Sequence, residues 1–214
     1  MSSPASKYDM SRSDMLGFVP LRSQRVLDVG CDTGRFGELL IEQRGPSVKV
    51  FGVEPSEISS AHQDAYEEIW QGAFPEVVPR DERFDCIAMN DVLEHMADPW
   101  AALAAAWEML SPGGVLVGSV PNIRQIAVLS NLVLRGDFSY REVGILDRGH
   151  LRFFTQSTLR AALIGANLNV VELRGSNIPQ TRKIYRVLKQ VVPRISGEFL
   201  ARQIVFMAEK NPCP

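Results

Sequence analysis

Residues 26–37 read Val-Leu-Asp-Val-Gly-Cys-Asp-Thr-Gly-Arg-Phe-Gly: an apolar run broken by one acid, a loop with Gly30 and Gly34, then a helical pattern from Arg35 to Gln43. That order is strand, tight turn, helix. A second apolar run, Val48 to Val53, ends on Glu54 and Pro55. It places a carboxylate about where a parallel neighbour strand offers an acceptor to a ribose. Together these are the parts of a nucleoside-binding crevice. The glycines let backbone approach a ligand, and amides at the start of the following helix suit a carboxylate or other anion. The dinucleotide pattern Gly-x-Gly-x-x-Gly is not met, because Asp32 and Arg35 stand where it needs glycine, and no Gly-x-x-x-x-Gly-Lys-Ser/Thr phosphate loop occurs.

With Asp28-x-Gly30-x-Asp32-x-Gly34, the chain resembles the class I S-adenosylmethionine-dependent methyltransferases, whose first motif reads acid-x-Gly-x-Gly-x-Gly. Asp32 replaces the middle glycine, which a negative φ would accommodate. Arg83 to Glu94 resembles the family's fourth strand and the turn after it. Leu110-Ser-Pro-Gly-Gly-Val-Leu-Val resembles the approach to its fifth. Those similarities cover about residues 20–121. Farther on, Arg135-Gly-Asp-Phe, Gly144 to His150 and Leu151 to Thr155 are similar to a subgroup of bacterial small-molecule methyltransferases of surface-polysaccharide or quinone pathways. The resemblance implies a Rossmann-like α/β fold with a seven-stranded, mostly parallel sheet, helices on both faces and an antiparallel last strand. It implies S-adenosyl-L-methionine as cofactor and S-adenosyl-L-homocysteine as product.

A chain of 214 residues with 45% apolar content can bury one core, and no linker divides it, so a single domain over 1–214 is expected. A net charge of −2 gives no general field toward nucleic acid. The apolar runs are too short to span a bilayer and the first 13 residues lack a secretion signal's apolar core, so a cytoplasmic protein is expected. Cys31, Cys86 and Cys213 form no Cys-x-x-Cys pair, which argues against a disulfide scaffold or a zinc site; no metal is expected.

Strand signals fall near 25–30, 48–53, 67–71, 84–89, 114–120, 168–175 and 199–209. Helical signals fall near 11–18, 34–44, 56–65, 99–110, 123–134, 156–166 and 181–192. The clearest helix opens at Asp98-Pro99 and carries Trp100, Leu103, Trp107 and Leu110 as its core face. Residues 122–154 are too long for an ordinary connection and hold an amphipathic run, Ile123 to Leu134. At the carboxyl end of a sheet such an insertion suits a substrate cap. With only Arg124 and Arg135 as basic residues, it is thinly equipped for a membrane surface.

Glu54 is the expected ribose acceptor, with Pro55 beside it. Asp28 would order the glycine turn or meet the aminoacyl ammonium, while Gly30, Cys31, Asp32 and Gly34 give backbone and clearance. The family often has an acid near Ala73; here adenine recognition would fall to backbone and the Phe74 ring. Asn90, Asp91 and Leu93 should line the methionine end, or form a plain turn. The subgroup resemblance suggests that Tyr8 and Arg12 close over the cofactor, with Arg12 on its carboxylate. An acceptor hydroxyl needs a base, and of His62, His95 and His150 the last is favoured, with Asp147 to orient it and His95 second. Arg182, Lys183, Arg186, Lys189 and Arg194 form a solvated basic face, or a patch that steers an anionic acceptor. The expected reaction is O-methylation of a sugar or related metabolite, with a nucleotide sugar among the acceptors. The alternatives are a quinone or lipid precursor at the membrane surface, favoured by an exposed apolar stripe on the 123–134 helix, and a non-catalytic cofactor-binding protein.

Overall fold

The computed structural model describes residues 12–56, 63–178 and 193–211. Seven strands, β1 (Arg25–Val29), β2 (Lys49–Glu54), β3 (Glu68–Gln71), β4 (Phe84–Asn90), β5 (Leu110–Pro121), β6 (Leu168–Ser176) and β7 (Gln203–Lys210), form one sheet in the order β3-β2-β1-β4-β5-β7-β6. The pairings among the first five are parallel, and β7 runs antiparallel to both β5 and β6. From β1 the chain steps outward to β3 and then returns to β4 on the other side. That reversal opens a crevice at the carboxyl ends of β1 and β4. The sheet is the one expected.

Both faces of the sheet are covered, which explains why its inner strands read as near-continuous apolar runs. In β1, Leu27 and Val29 join one core with Leu103 and Ala106, and with Leu159 and Leu163, while Val26 points to a second core with Met15, Phe36 and Leu40. The helices are α1 (Arg35–Arg44), α2 (Pro99–Met109), α3 (Ile126–Arg135), α4 (Gln156–Gly165) and α5 (Pro193–Leu200). Asp98 caps α2 as expected, its Oδ1 accepting from the Ala101 N–H at 3.0 Å. Trp100 departs from its expected core position and is 54% exposed, whereas Leu103 and Leu110 are fully buried.

Three boundaries differ from expectation. The 11–18 element is a 3-10 helix over Ser13–Phe18, short because Arg12 before it adopts φ 43°. Within 56–65 only Gln63–Ala65 is described, as a 3-10 turn. The strand expected from 199 begins at Gln203, because α5 occupies the residues before it. The helix expected at 181–192, most of the basic stretch, His62, Tyr8 and Cys213 lie outside the described residues.

The insertion leaves the sheet after β5 and returns at Phe154, which bridges Asn122 in parallel. Asn122 is buried and anchors this root, its amide donating to the carbonyls of Glu198 (2.6 Å) and Ala201 (3.0 Å). No residue of α3 is buried.

Candidate functional site

The turn after β1 is closed on itself. Gly30 and Cys31 both donate their N–H to the Val53 carbonyl (2.8 and 3.1 Å), and Gly34 donates to the Cys31 carbonyl (2.8 Å). The Asp32 N–H donates to Glu54 Oε2 at 3.0 Å. Gly30 has φ 73°, and a Cβ there would lie 2.7 Å from Val92 Cγ2, so only glycine fits between the turn and the Val92 side chain. Asp32 corrects one expectation: its φ is 45°, in the left-handed region, not negative. Aspartate is among the residues that tolerate this conformation, which is how the turn survives without its middle glycine. The N–H groups of Gly30, Cys31, Asp32 and Gly34 are thus satisfied within the turn and by Glu54.

Glu54 closes β2 with its carboxylate buried at the crevice. Besides the Asp32 amide, it accepts at Oε1 from the Ser56 N–H (3.0 Å) and hydroxyl (2.6 Å). The Ser56 hydroxyl is a rotatable donor, and Pro55 beside it is exposed. Asp28 is buried beneath the turn and accepts from the Tyr66 hydroxyl at 2.7 Å, and that hydroxyl accepts in turn from the Gly37 N–H at 3.0 Å. Burial pushes the Asp28 carboxyl up to about 7, against the pull of the Tyr66 bond. Burial also raises the Cys31 thiol, whose Sγ lies against Gly52 and would be only 2.8 Å from a Cβ placed there. Tyr66 was not foreseen, since a lone aromatic in a connection carries no periodic signal. Phe74 is buried in the main core, which corrects its reading as an adenine platform. Ala73 is exposed, with its carbonyl taken by the Val77 N–H at 3.3 Å.

Across the crevice, both polar atoms of the Asn90 amide are buried without a partner. Leu93 is fully buried in the core, so it backs the site from beneath. Asp91, with φ 56°, accepts from Arg12 Nη1, from the Ser119 hydroxyl (2.9 Å) and from Gln203 Nε2, 3.0 Å from each carboxylate oxygen. Arg12 is buried, and its Nε also donates to Asp14 at 3.1 Å. The sequence placed Arg12 near this crevice but gave no sign of Ser119 or Gln203, which long-range pairing alone brings there.

The cap returns over the same end. Leu151 and Arg152 both donate their N–H to the Glu94 carbonyl (2.7 and 3.0 Å), and this docks His150 against His95 with ring centroids 4.8 Å apart. His150 is buried and its Nδ1 lies 2.9 Å from the Ile145 carbonyl. A carbonyl only accepts, so Nδ1 donates to it, and the lone pair of the neutral ring lies on Nε2. The Ile145 carbonyl thus orients this ring, and the Asp147 carboxylate takes the Gly149 N–H at 2.8 Å. His95 is held below the usual imidazole range by burial and by its neighbour His150. Both Glu94 carboxylate oxygens are buried without a partner, and burial followed by the charge of Asp91 pushes this acid well above its ordinary value. Glu94, His95 and His150 offer ligand atoms within 4.8 Å of one another, a set of donors that also suits a divalent cation.

A methyltransferase-domain family model matches residues 8–173. Among curated proteins, the ubiquinone biosynthesis O-methyltransferase of Azorhizobium caulinodans is 30% identical over 166 residues, covering 73% of this chain and 63% of its own length. The enzyme of that name from Pseudomonas fluorescens strain Pf-5 is 29% identical over 184 residues, covering 81% and 76%. A solved S-adenosylmethionine-dependent methyltransferase from Archaeoglobus fulgidus superposes with TM-score 0.68 at 18% identity, over 93% of this chain and 92% of that one. At that identity the likeness speaks for the fold.

Proposed function

The chain belongs to the methyltransferase-domain family, and from that premise we propose that it is an S-adenosylmethionine-dependent O-methyltransferase acting on an apolar quinone- or lipid-type precursor met at a membrane surface. The observation that carries the acceptor class is α3. It has no buried residue, and it exposes Leu132 (42%), Val133 (77%) and Leu134 (79%) beside a cap whose Tyr140, Val143 and Leu151 are also exposed. Such an apolar last turn is costly in water and suits an interfacial helix end or a hydrophobic chain. Among the described residues, no helix is long and apolar enough to cross a membrane. The curated relatives' ubiquinone names agree with this acceptor class. The saccharide expected from the sequence has less support, because those relatives carry ubiquinone names and neither names a sugar acceptor.

The crevice fits the cofactor. It has a buried acid at the end of β2, a turn that only glycine can make beside Val92, and an unpartnered amide at Asn90. When bound, the cofactor supplies a sulfonium methyl for in-line transfer. In this proposal Glu54 accepts from the ribose diol, displacing the Ser56 hydroxyl. Gly30, Cys31, Asp32 and Gly34 shape the floor, with Asp28 ordering it through Tyr66. Arg12 and Asp91 meet the amino-acid end, and Tyr8, Pro55 and Ala73 border the site. His150 takes the acceptor's hydroxyl proton at Nε2, and His95 keeps that ring upright. The cap excludes water while acceptor and methyl are aligned.

The test is an assay of the full chain with methyl-labelled cofactor. The acceptors are a short-chain prenylated hydroxyphenol in lipid vesicles and, separately, a panel of nucleotide sugars. Turnover on the vesicle-borne phenol is expected; turnover on the sugars alone overturns the acceptor class. Tight S-adenosylhomocysteine binding with no turnover on either supports the non-catalytic alternative.

A further inference from the structure

The two outer strands of the sheet end it in different ways. β3 has four residues, short enough to offer little to another chain, while β6 has nine and holds neither proline nor lysine. We propose that β6 pairs antiparallel with β6 of a second copy about a two-fold axis beside Leu173, which sets Glu172 of each chain opposite Arg174 of the other. This contact lies at the far edge of the sheet and stands apart from the acceptor and cofactor readings above.

Three observations carry it. The first is a free edge: β6 pairs with β7 on one side, and among the described residues no group bonds to its other side. That leaves a row of backbone donors and acceptors for another strand. The second is the charge pattern. Glu172 and Arg174 share one face, with Arg174 Nε donating to Glu172 Oε1 at 2.6 Å. A two-fold perpendicular to the sheet keeps that face common to both copies, so its axis falls beside a single residue. Beside Glu172 or Arg174 it would oppose like charges, whereas beside Leu173 it makes two Glu–Arg pairs, four alternating charges in a row. The third is the flank. On the charged face Arg174 lies 5.2 Å over the Phe18 ring, and a groove runs alongside, lined by Met207 and by the exposed Leu21 and Val171. On the opposite face, where Leu173 packs with Leu159 and Leu163 of α4, Ile164 is exposed.

Charges on an outer strand commonly keep other chains away, and a single sign would do so here. One acid and one base two residues apart act differently: they reject the neighbouring registers and accept this one. The bulge between Val170 and Glu172 confines the shared ladder to the few residues around Leu173. The interface is therefore small for its kind, and the dimer is expected to dissociate at about 1–100 µM. Since β7 is antiparallel to both β5 and β6, β6 runs in the direction of β5. Antiparallel pairing then turns the two crevices toward opposite ends of the joined sheet.

Sedimentation equilibrium of the full chain over about 1–100 µM tests this. The wild-type chain is expected to pass from monomer to dimer across that range. Glu172→Arg alone and Arg174→Glu alone each set like charges opposite one another, and each should weaken the dimer by about 10-fold or more. Mixed in equal amounts, the two variants pair opposite charges at every contact between unlike chains. Heterodimers should then form with about the wild-type affinity, a gain that a fold disturbed by either change would not give. Added salt gives a second reading on the unaltered chain, where the dimer should loosen several-fold as the charges are screened. Chains that stay monomeric at about 100 µM, a mixture no tighter than its parts, or a dimer indifferent to both exchanges and to salt overturn the proposal.

Discussion

The cofactor side of the crevice and the cap solve opposite problems. On the cofactor side, four turn amides are taken by the Val53 and Cys31 carbonyls and Glu54, the Tyr66 hydroxyl holds Asp28, and β1 beneath is buried from Val26 to Val29. The cap has a ten-residue helix with nothing buried and an aromatic group, Phe138, Tyr140 and Phe153, packed ring to ring at 5.7–6.3 Å. One region is closed on itself by its own hydrogen bonds. The other presents surface, and on the proposed reading its contribution to chemistry comes down to the end that carries His150.

The sharpest way to break that division is His150→Ala. It is expected to lower kcat by about 100-fold or more with cofactor affinity nearly unchanged, measured by labelled turnover and by titration. An unaltered rate would leave the cap with no chemical role. Glu54→Gln makes the converse test: S-adenosylhomocysteine affinity should fall by about 10- to 100-fold, with the ribose lost as a contact.

Stability gives a third contrast. Leu103→Ala, in the core, is expected to cost about 2–5 kcal/mol in denaturant unfolding, whereas Leu134→Ala should stay within about 0.5 kcal/mol. A large loss at Leu134 would mean that α3 is covered by protein after all. The remaining effect expected is a pH dependence. Between about pH 4 and pH 7 the unfolded chain gives up the Asp28 proton while the folded one keeps it, so stability falls as pH rises through that window. Asp28→Asn should flatten this slope and leave the mutant relatively more stable at pH 8; an unchanged slope would rule out the buried acid as its source.

What was legible follows the same divide. The turn, α1 and the acid closing β2 could be read from Gly30, Gly34 and Glu54, because backbone constraint ties residue type to position. The sheet could be read from short apolar runs alternating with helical periods. The φ of Asp32 could not, since aspartate fits either sign. Phe74 was misplaced because an aromatic after a strand serves core and ligand equally well. The links from Tyr66 to Asp28 and from Gln203 to Asp91 were invisible, joining residues 38 and 112 apart that share no local pattern. The cap's length announced an insertion, but only its geometry revealed that Ile145, three residues before the nearest arginine, sets the histidine tautomer.

One carbonyl, that of Glu94, receives both the Leu151 and the Arg152 amides. Along with the Asn122–Phe154 bridge at the root, this fastens the cap near its return, leaving the helical part to vary. On the proposed reading, substitutions in 123–145 would change the acceptor while both fastenings stay in place.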